Sequence, residues 1–446
     1  MTAETVLTVE ERLRQLFHHL GLRQAHIAGR MPRDWTGLAT TSPELVASLT
    51  LVCPIALDPQ TVRHLASRLL VVTGDQGPQA ERVRQVVESV AGARLVTLRD
   101  YAIFAWTDMV ADRTDEIGAA MLQFLARVQP PAGAQSVPPA AAEGEIAGLS
   151  YRLRGAGPPL VLLPLWLSPS QWDPLVPRLS EHYCTITLGG RELGPVASLE
   201  SRGHAAGFLA MVRTLLEAVH LRPGESVLEV GCGTGVLDRW LAQSTRGAHR
   251  ITGVDINRYL LHEARAFARQ EGLEGTIAFR EGSAEALPFP NHSFDVTMSV
   301  TVMEEVDADQ MLREMVRVTT PGGRVAVIVR AEDMPCLMHL PLREALKRKV
   351  EAPSGWGGSV GAAGCADASL YRRFRQAGLT QVTMFPQLAA FTSADTTFLQ
   401  NMQGRLLSTL SQAEAREWQT ARAQAEAEGT FVYAQPHHCA VGTKPS

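Results

Sequence analysis

The stretch that most restricts this chain is Ser226–Gly235, which reads SVLEVGCGTG. Residues suited to a buried strand run into a turn with glycine at 231, 233 and 235, and the apolar spacing of Val236–Gln243 then predicts a helix. Strand, glycine-rich turn and helix in that order predict a parallel α/β sheet in which backbone approaches a ligand closely at the carboxyl end of a strand. A dinucleotide is one such ligand, but its G-x-G-x-x-G pattern needs glycine where Val236 stands.

A second anchor lies about twenty residues on, where the predicted strand Ile251–Val254 ends in Asp255, placed to accept ribose hydroxyls. This supports a ribose without choosing the cofactor. Further along come Gly282–Phe289 (GSAEALPF), Ser293–Val296 (SFDV) and Pro321–Arg324 (PGGR). The ordered set EVGCGTG, GVDI, GSAEALPF, SFDV and PGGR closely resembles the ubiquinone-biosynthesis-type class I methyltransferases, from about Arg222 to Arg330.

That resemblance implies a Rossmann-like seven-stranded sheet, S-adenosyl-L-methionine as cofactor and in-line methyl transfer to a small-molecule acceptor. Carried over by position, it implies that Glu229, Gly231, Cys232, Gly233 and Gly235 hold the methionine end. Asp255 then takes the ribose and Ile256 lies beside the adenine, with Ser283, Ala284 and Glu285 at the adenine edge and Ser299 in the same cofactor set. Methyl transfer needs mainly positioning, so it does not require a histidine base. After the predicted fourth strand, Asp295–Val300, the adjacent acids Glu304 and Glu305 suit orientation or deprotonation of an acceptor hydroxyl. They equally suit a helix N-terminus, where the dipole favours acids.

Apolar spacing also predicts a helix from about Gly203 to Val219 and a last strand near Phe431–Tyr433. Late insertions, 331–370 and 392–429, carry Trp356, Phe398, Trp418, Met334, Met338 and Met402, with Tyr371, Phe374 and Phe391 between them. Such a cap suits an apolar acceptor, although aromatic and methionine side chains at these spacings equally fill a core. A non-catalytic protein that binds S-adenosylmethionine or its product is the competing functional reading. An oxidoreductase is disfavoured by Val236.

The first half is a different α/β region. Apolar runs at Ala25–Ala28, Leu49–Val52, Leu69–Val72 and Leu95–Leu98 alternate with helical spacing at Glu11–Leu20, Gln79–Val90 and Asp115–Val128. Leu20–Gly29, Pro43–Val52, Leu69–Gly74 and Asp100–Trp106 resemble the back half of an α/β-hydrolase, and Ser150–Leu163 with Trp172–Thr187 resembles its front half. The elbow G-x-S-x-G reads Gly29-Arg30-Met31-Pro32-Arg33, so Met31 replaces the nucleophile. The acid turn reads Gly74-Asp75-Gln76-Gly77 and the histidine turn Tyr101-Ala102-Ile103-Phe104. The expectation is a circularly permuted, catalytically dead hydrolase fold, with Asp75 left as a shifted candidate acid.

The domain reading is therefore a hydrolase-like back half over 1–128, a Pro/Ala-rich linker over 129–144, a front half over 145–200 and the methyltransferase over 201–446. A length of 446 residues fits two or three domains. The formal charge of −4 argues against nucleic acid as a partner. Six cysteines without a C-x-x-C pair suit a reducing compartment, and neither they nor His339, His437 and His438 have metal-ligand spacing. No run reaches the length of a membrane span, and the start MTAETVLTVEERLRQLF lacks a signal-peptide pattern, so a cytoplasmic protein is expected. A homo-oligomer is compatible with all of this.

Overall fold

A computed structural model describes residues 7–54, 57–102, 108–128, 142–166, 168–352, 360–393, 396–407 and 409–446. The chain divides into two compact units, Met1–Ala197 and Ser198–Ser446. Most of the linker reading, 129–141, lies outside the described residues, as do Trp356 and the Ile103-Phe104 pair.

The first unit holds one sheet of eight strands. They are β1 (Ala25–Gly29), β2 (Val46–Val52), β3 (Leu69–Gln76), β4 (Arg94–Ala102), β5 (Glu143–Ile146), β6 (Leu149–Arg154), β7 (Pro159–Leu162) and β8 (Cys184–Gly189). Their order is β4-β3-β2-β1-β7-β8-β6-β5. All neighbours from β4 to β8 run parallel, and β6 is antiparallel to β8. β5 and β6 form a hairpin through Ala147 and Gly148, both at positive φ, as a two-residue turn requires.

Apolar side chains leave both faces of this sheet, because a parallel sheet is covered on both sides. Ile27, Leu49, Val71 and Ile186 enter one core, and Ala28, Leu70, Val72 and Leu162 the other. Met31 begins the helix Pro32–Thr41 with φ −79° and ψ 122°, ordinary extended backbone. The strain of a nucleophile elbow is thus missing along with the nucleophile. Asp75 is engaged by backbone at the end of β4. Its two carboxylate oxygens accept the N–H groups of Asp100 and Tyr101, at 3.0 and 3.1 Å, and close the end of β4.

The second unit is built on β9 (Ser226–Val230), β10 (Arg250–Asp255), β11 (Ile277–Glu281), β12 (Phe294–Val300), β13 (Thr319–Arg330), β14 (Leu337–Met338), β15 (Thr380–Thr392) and β16 (Val432–Thr443). The order is β11-β10-β9-β12-β13-β16-β14, with β15 also paired to β16. β9 to β13 are mutually parallel, and β16 runs antiparallel to both β13 and β15. This is an α/β, Rossmann-like sheet whose strand order reverses about β9 and β12.

Two elements differ from the sequence expectation. The last strand spans Val432–Thr443 and not merely Phe431–Tyr433, because Gln435, His437 and His438 interrupt the apolar pattern although all three are buried in the sheet. The helix expected from about Gly203 to Val219 is two helices, Gly194–His204 and Ala206–Val219, broken at Ala205. The first was hidden by its glycine, proline and serine content. Among the described residues, no helix is long and apolar enough to cross a membrane.

Candidate functional site

The glycine-rich turn leaves β9 at the carboxyl edge of the sheet. Gly231, Gly233 and Gly235 all have positive φ, at 77°, 55° and 69°. A Cβ at Gly235 would lie 2.6 Å from the Phe279 ring, and one at Gly231 would collide with Val302, so both positions require glycine on two counts. The N–H groups of Gly231 and Cys232 return to the Val254 carbonyl, at 2.7 and 3.1 Å, and tie the turn to β10.

Asp255 ends β10 against this turn. One carboxylate oxygen accepts the Gly233 N–H and the other that of Asn257, each at 2.8 Å. Burial raises its pKa against the pull of these two bonds. Ile256 follows with 72% of its surface exposed, beside the half-buried Asp255. A cleft opens alongside, lined by Glu229, the turn from Gly231 to Thr234, Arg202, Phe208 and Val300. Glu229 is buried, and burial with the neighbouring Asp238 carboxyl raises its pKa, while burial pushes Asp238 up to about 7.

A buried ion-pair network fixes the turn from behind. Glu200, in the helix Gly194–His204, accepts from the Thr234 hydroxyl and from Arg239 Nη2, both at 2.6 Å. Arg239 also donates to the Thr234 carbonyl at 2.6 Å and to Glu271 at 3.0 Å. Neither Glu200 nor Arg202 stood out in the sequence, because both lie on a helix without a clear apolar stripe. Arg239 reads as an ordinary surface cation of an amphipathic helix. Only the third dimension pairs these residues.

Toward the ends of β12 and β13 the site becomes polar. Glu304 is fully buried. Its Oε1 accepts the Arg330 N–H at 2.7 Å and lies 3.5 Å from Arg330 Nε, and its Oε2 has no hydrogen-bond partner among the described residues. Burial raises its pKa. Glu305, by contrast, is exposed, so the two acids stand in different surroundings. Arg202 lies over the Phe208 ring at 5.1 Å, and its field is shared by Arg330, Glu304, Glu305 and Glu229. Burial lowers its pKa to about 10, which leaves it charged at neutral pH.

The other sequence candidates are engaged as follows. Ser283 Oγ accepts the Glu285 N–H at 3.2 Å, and Ala284 is half-buried between them. The Glu285 carboxylate is taken by the Asp307 N–H at 2.7 Å, at the start of the helix Ala308–Val318. Ser299 is buried inside β12 and donates to the Val230 carbonyl at 2.8 Å, so it braces the sheet and does not line the cleft. Of the late insertions, Met338, Phe398, Met402 and Trp418 pack into the main core of this unit. His438 Nε2 meets Asp333 at 2.7 Å and His437 Nδ1 meets the Gln435 carbonyl at 3.0 Å. Among the described residues, no group of three or more His, Cys, Asp or Glu side chains could hold a metal.

Residues 227–323 match the family described as "Methyltransferase domain". The ubiquinone/menaquinone biosynthesis C-methyltransferase UbiE of Legionella pneumophila (strain Corby) is 38% identical over 117 residues, 26% of this chain and 47% of the relative. Methyltransferase GfsG of Streptomyces halstedii is 39% identical over 118 residues, 26% of this chain and 42% of the relative. The chain thus spans less than half the length of either relative. Among solved structures, the [4+2]-cyclase SpnF is 23% identical and covers 53% of this chain and 80% of its own, but with a TM-score of 0.34 it says nothing of the chemistry.

Proposed function

We propose, from the premise that this chain carries a class I, S-adenosylmethionine-dependent methyltransferase domain, that it transfers the cofactor's methyl group to a small-molecule acceptor. The observation that carries the reading is the meeting of three features at one sheet edge: the Gly231–Gly235 turn, the Asp255 carboxylate bonded to it, and the exposed Ile256. They fit the cofactor's parts. Asp255 can exchange its Gly233 N–H for ribose hydroxyls, Ile256 offers an apolar face to adenine, and Glu229 in its ionised form complements a cationic amine.

The cofactor supplies an electrophilic methyl group, so the chain's task is to place the acceptor in line with it and exclude water. We assign the acceptor side to the ends of β12 and β13, where Glu304 is held at one oxygen by Arg330 and is unpartnered at the other. Glu304 thus orients an acceptor hydroxyl or enol, and Glu305 stands aside. An apolar acceptor body is our reading of the late insertions, though the side chains described there are mostly core.

We read the first unit as a permuted hydrolase-type sheet that has lost its chemistry. Supporting this, its two halves join edge to edge through β1 and β7 into one sheet, as a permuted chain requires. Two separate small sheets would have ruled the idea out.

The test is calorimetric titration with S-adenosylmethionine and S-adenosylhomocysteine, for the wild type and Asp255→Ala. Loss of the ribose acceptor should weaken binding by roughly 10- to 100-fold, as expected for one or two hydrogen bonds to a charged group. An unchanged affinity in the variant would remove Asp255 from the site. Binding without turnover across a broad acceptor panel would favour the non-catalytic reading.

A further inference from the structure

The first unit has a feature that the loss of a triad does not explain. In an open α/β sheet, ligands bind beyond the carboxyl ends of the strands where the strand order reverses. Here that point lies between β1 and β7, since β1 leads outward to β2 on one side and β7 to β8 on the other. Arg30 follows β1 directly, and Trp166 follows β7 after three residues.

Arg30 is only 2% exposed. Its Nε donates to the Cys53 carbonyl at 2.8 Å, and its guanidinium lies 5.3 Å from the centre of the Trp166 ring. Arg30 Nη1 is buried without a hydrogen-bond partner among the described residues, and so is Trp166 Nε1. Among the described residues Arg30 forms no salt bridge, and the Cys53 thiol and Tyr101 phenol near it are held neutral by burial, with Cys53 pushed up to about 12. Buried charges are normally paired. This one faces a carbonyl, a ring and two neutral side chains, and the ring it lies against carries a second unsatisfied donor.

We propose that Arg30 and Trp166 form a binding site for a small organic monocarboxylate, with the carboxylate accepting from Arg30 Nη1 and Trp166 Nε1. One guanidinium balances one negative charge, and two unsatisfied N–H groups on side chains in contact suit two carboxylate oxygens. A phosphate dianion would bring a second charge beyond the one that Arg30 carries. Trp166 and Met31 are half-buried and give the site its edge toward solvent. The hydrolase-type crevice is thereby retained for binding after its chemistry is gone. This inference does not depend on the transferase reading.

The test uses the full chain and two probes, benzoate and octanoate, followed by thermal melting and calorimetry. Sodium chloride at equal ionic strength and inorganic phosphate serve as references. At least one carboxylate should raise the melting temperature of the first unit beyond chloride and phosphate. Its affinity should fall tenfold or more in Arg30→Met and several-fold in Trp166→Phe, which keeps the ring but loses the N–H. It should be unchanged in Asp255→Ala, which separates this site from the cofactor cleft. If Arg30→Met does not fold, the wild type and Trp166→Phe decide. Melting that answers neither carboxylate beyond chloride, a phosphate response at least as large, or affinity indifferent to Trp166→Phe and Arg30→Met would each overturn the proposal.

Discussion

Glu263 lies buried in the helix Arg258–Gln270, and burial, reinforced by the charge of Glu200, pushes its pKa up to about 7 from 4.5. A carboxyl whose pKa is raised by folding favours the folded state while protonated. Its contribution is complete below pH 4.5 and is lost as the pH rises to about 7. Glu263→Gln keeps the neutral shape at every pH. The variant should therefore gain stability relative to wild type on going from about pH 4.5 to pH 8, by on the order of 2 kcal/mol. Urea denaturation at the two pH values measures this, and a constant difference would show that Glu263 ionises freely in the fold. Single residues also mark the limit of what could be read directly. Asp255 and the three glycines announce themselves because φ sign, spacing and chemistry all coincide there. Ser299 did not betray that its hydroxyl is bonded within the sheet, and nothing local distinguishes Glu304 from Glu305, one fully buried and the other exposed.

Elements with a strong period were legible, and those whose polar residues serve a neighbour were not. β9, β12 and the Val325–Val329 part of β13 are short apolar runs that are largely buried, which is how a parallel strand reads. β16 reads as a shorter strand because Gln435, His437 and His438 break its apolar run although they are buried, with His438 paired to Asp333 on another segment and His437 to the Gln435 carbonyl within the strand. The helix Gly194–His204 was missed for a related reason. Its stabilising contact is not an apolar stripe but the buried Glu200–Arg239 pair. Glu200→Ala should leave Arg239 with Glu271 alone and release the Thr234 hydroxyl. We expect a loss of about 2–4 kcal/mol in chemical denaturation of the second unit, as for removing one partner of a buried pair, together with weaker S-adenosylhomocysteine binding. A cost below about 1 kcal/mol would mean that water replaces the carboxylate at this helix.

At the scale of the whole molecule, each unit has its own sheet with apolar cores on both faces, so each has what independent folding requires. Differential scanning calorimetry should resolve two transitions, and S-adenosylhomocysteine should move only one of them. A single transition that shifts as a whole would show that the units unfold together. The sequence expectation of a divided chain rests on the different motif sets of its two halves. The pairing of segments before and after the linker was only an inference from resemblance, since no local pattern states which strands become neighbours. That pairing has a consequence for synthesis. β1 forms its ladder with β7, which leaves the ribosome roughly 130 residues later. At cellular elongation rates this is a delay on the order of ten seconds, during which the nascent β1–β4 half presents an open strand edge. The most vulnerable moment in this protein's life falls while it is still being made, and a chaperone that shields that edge would serve its yield more than any gain in final stability.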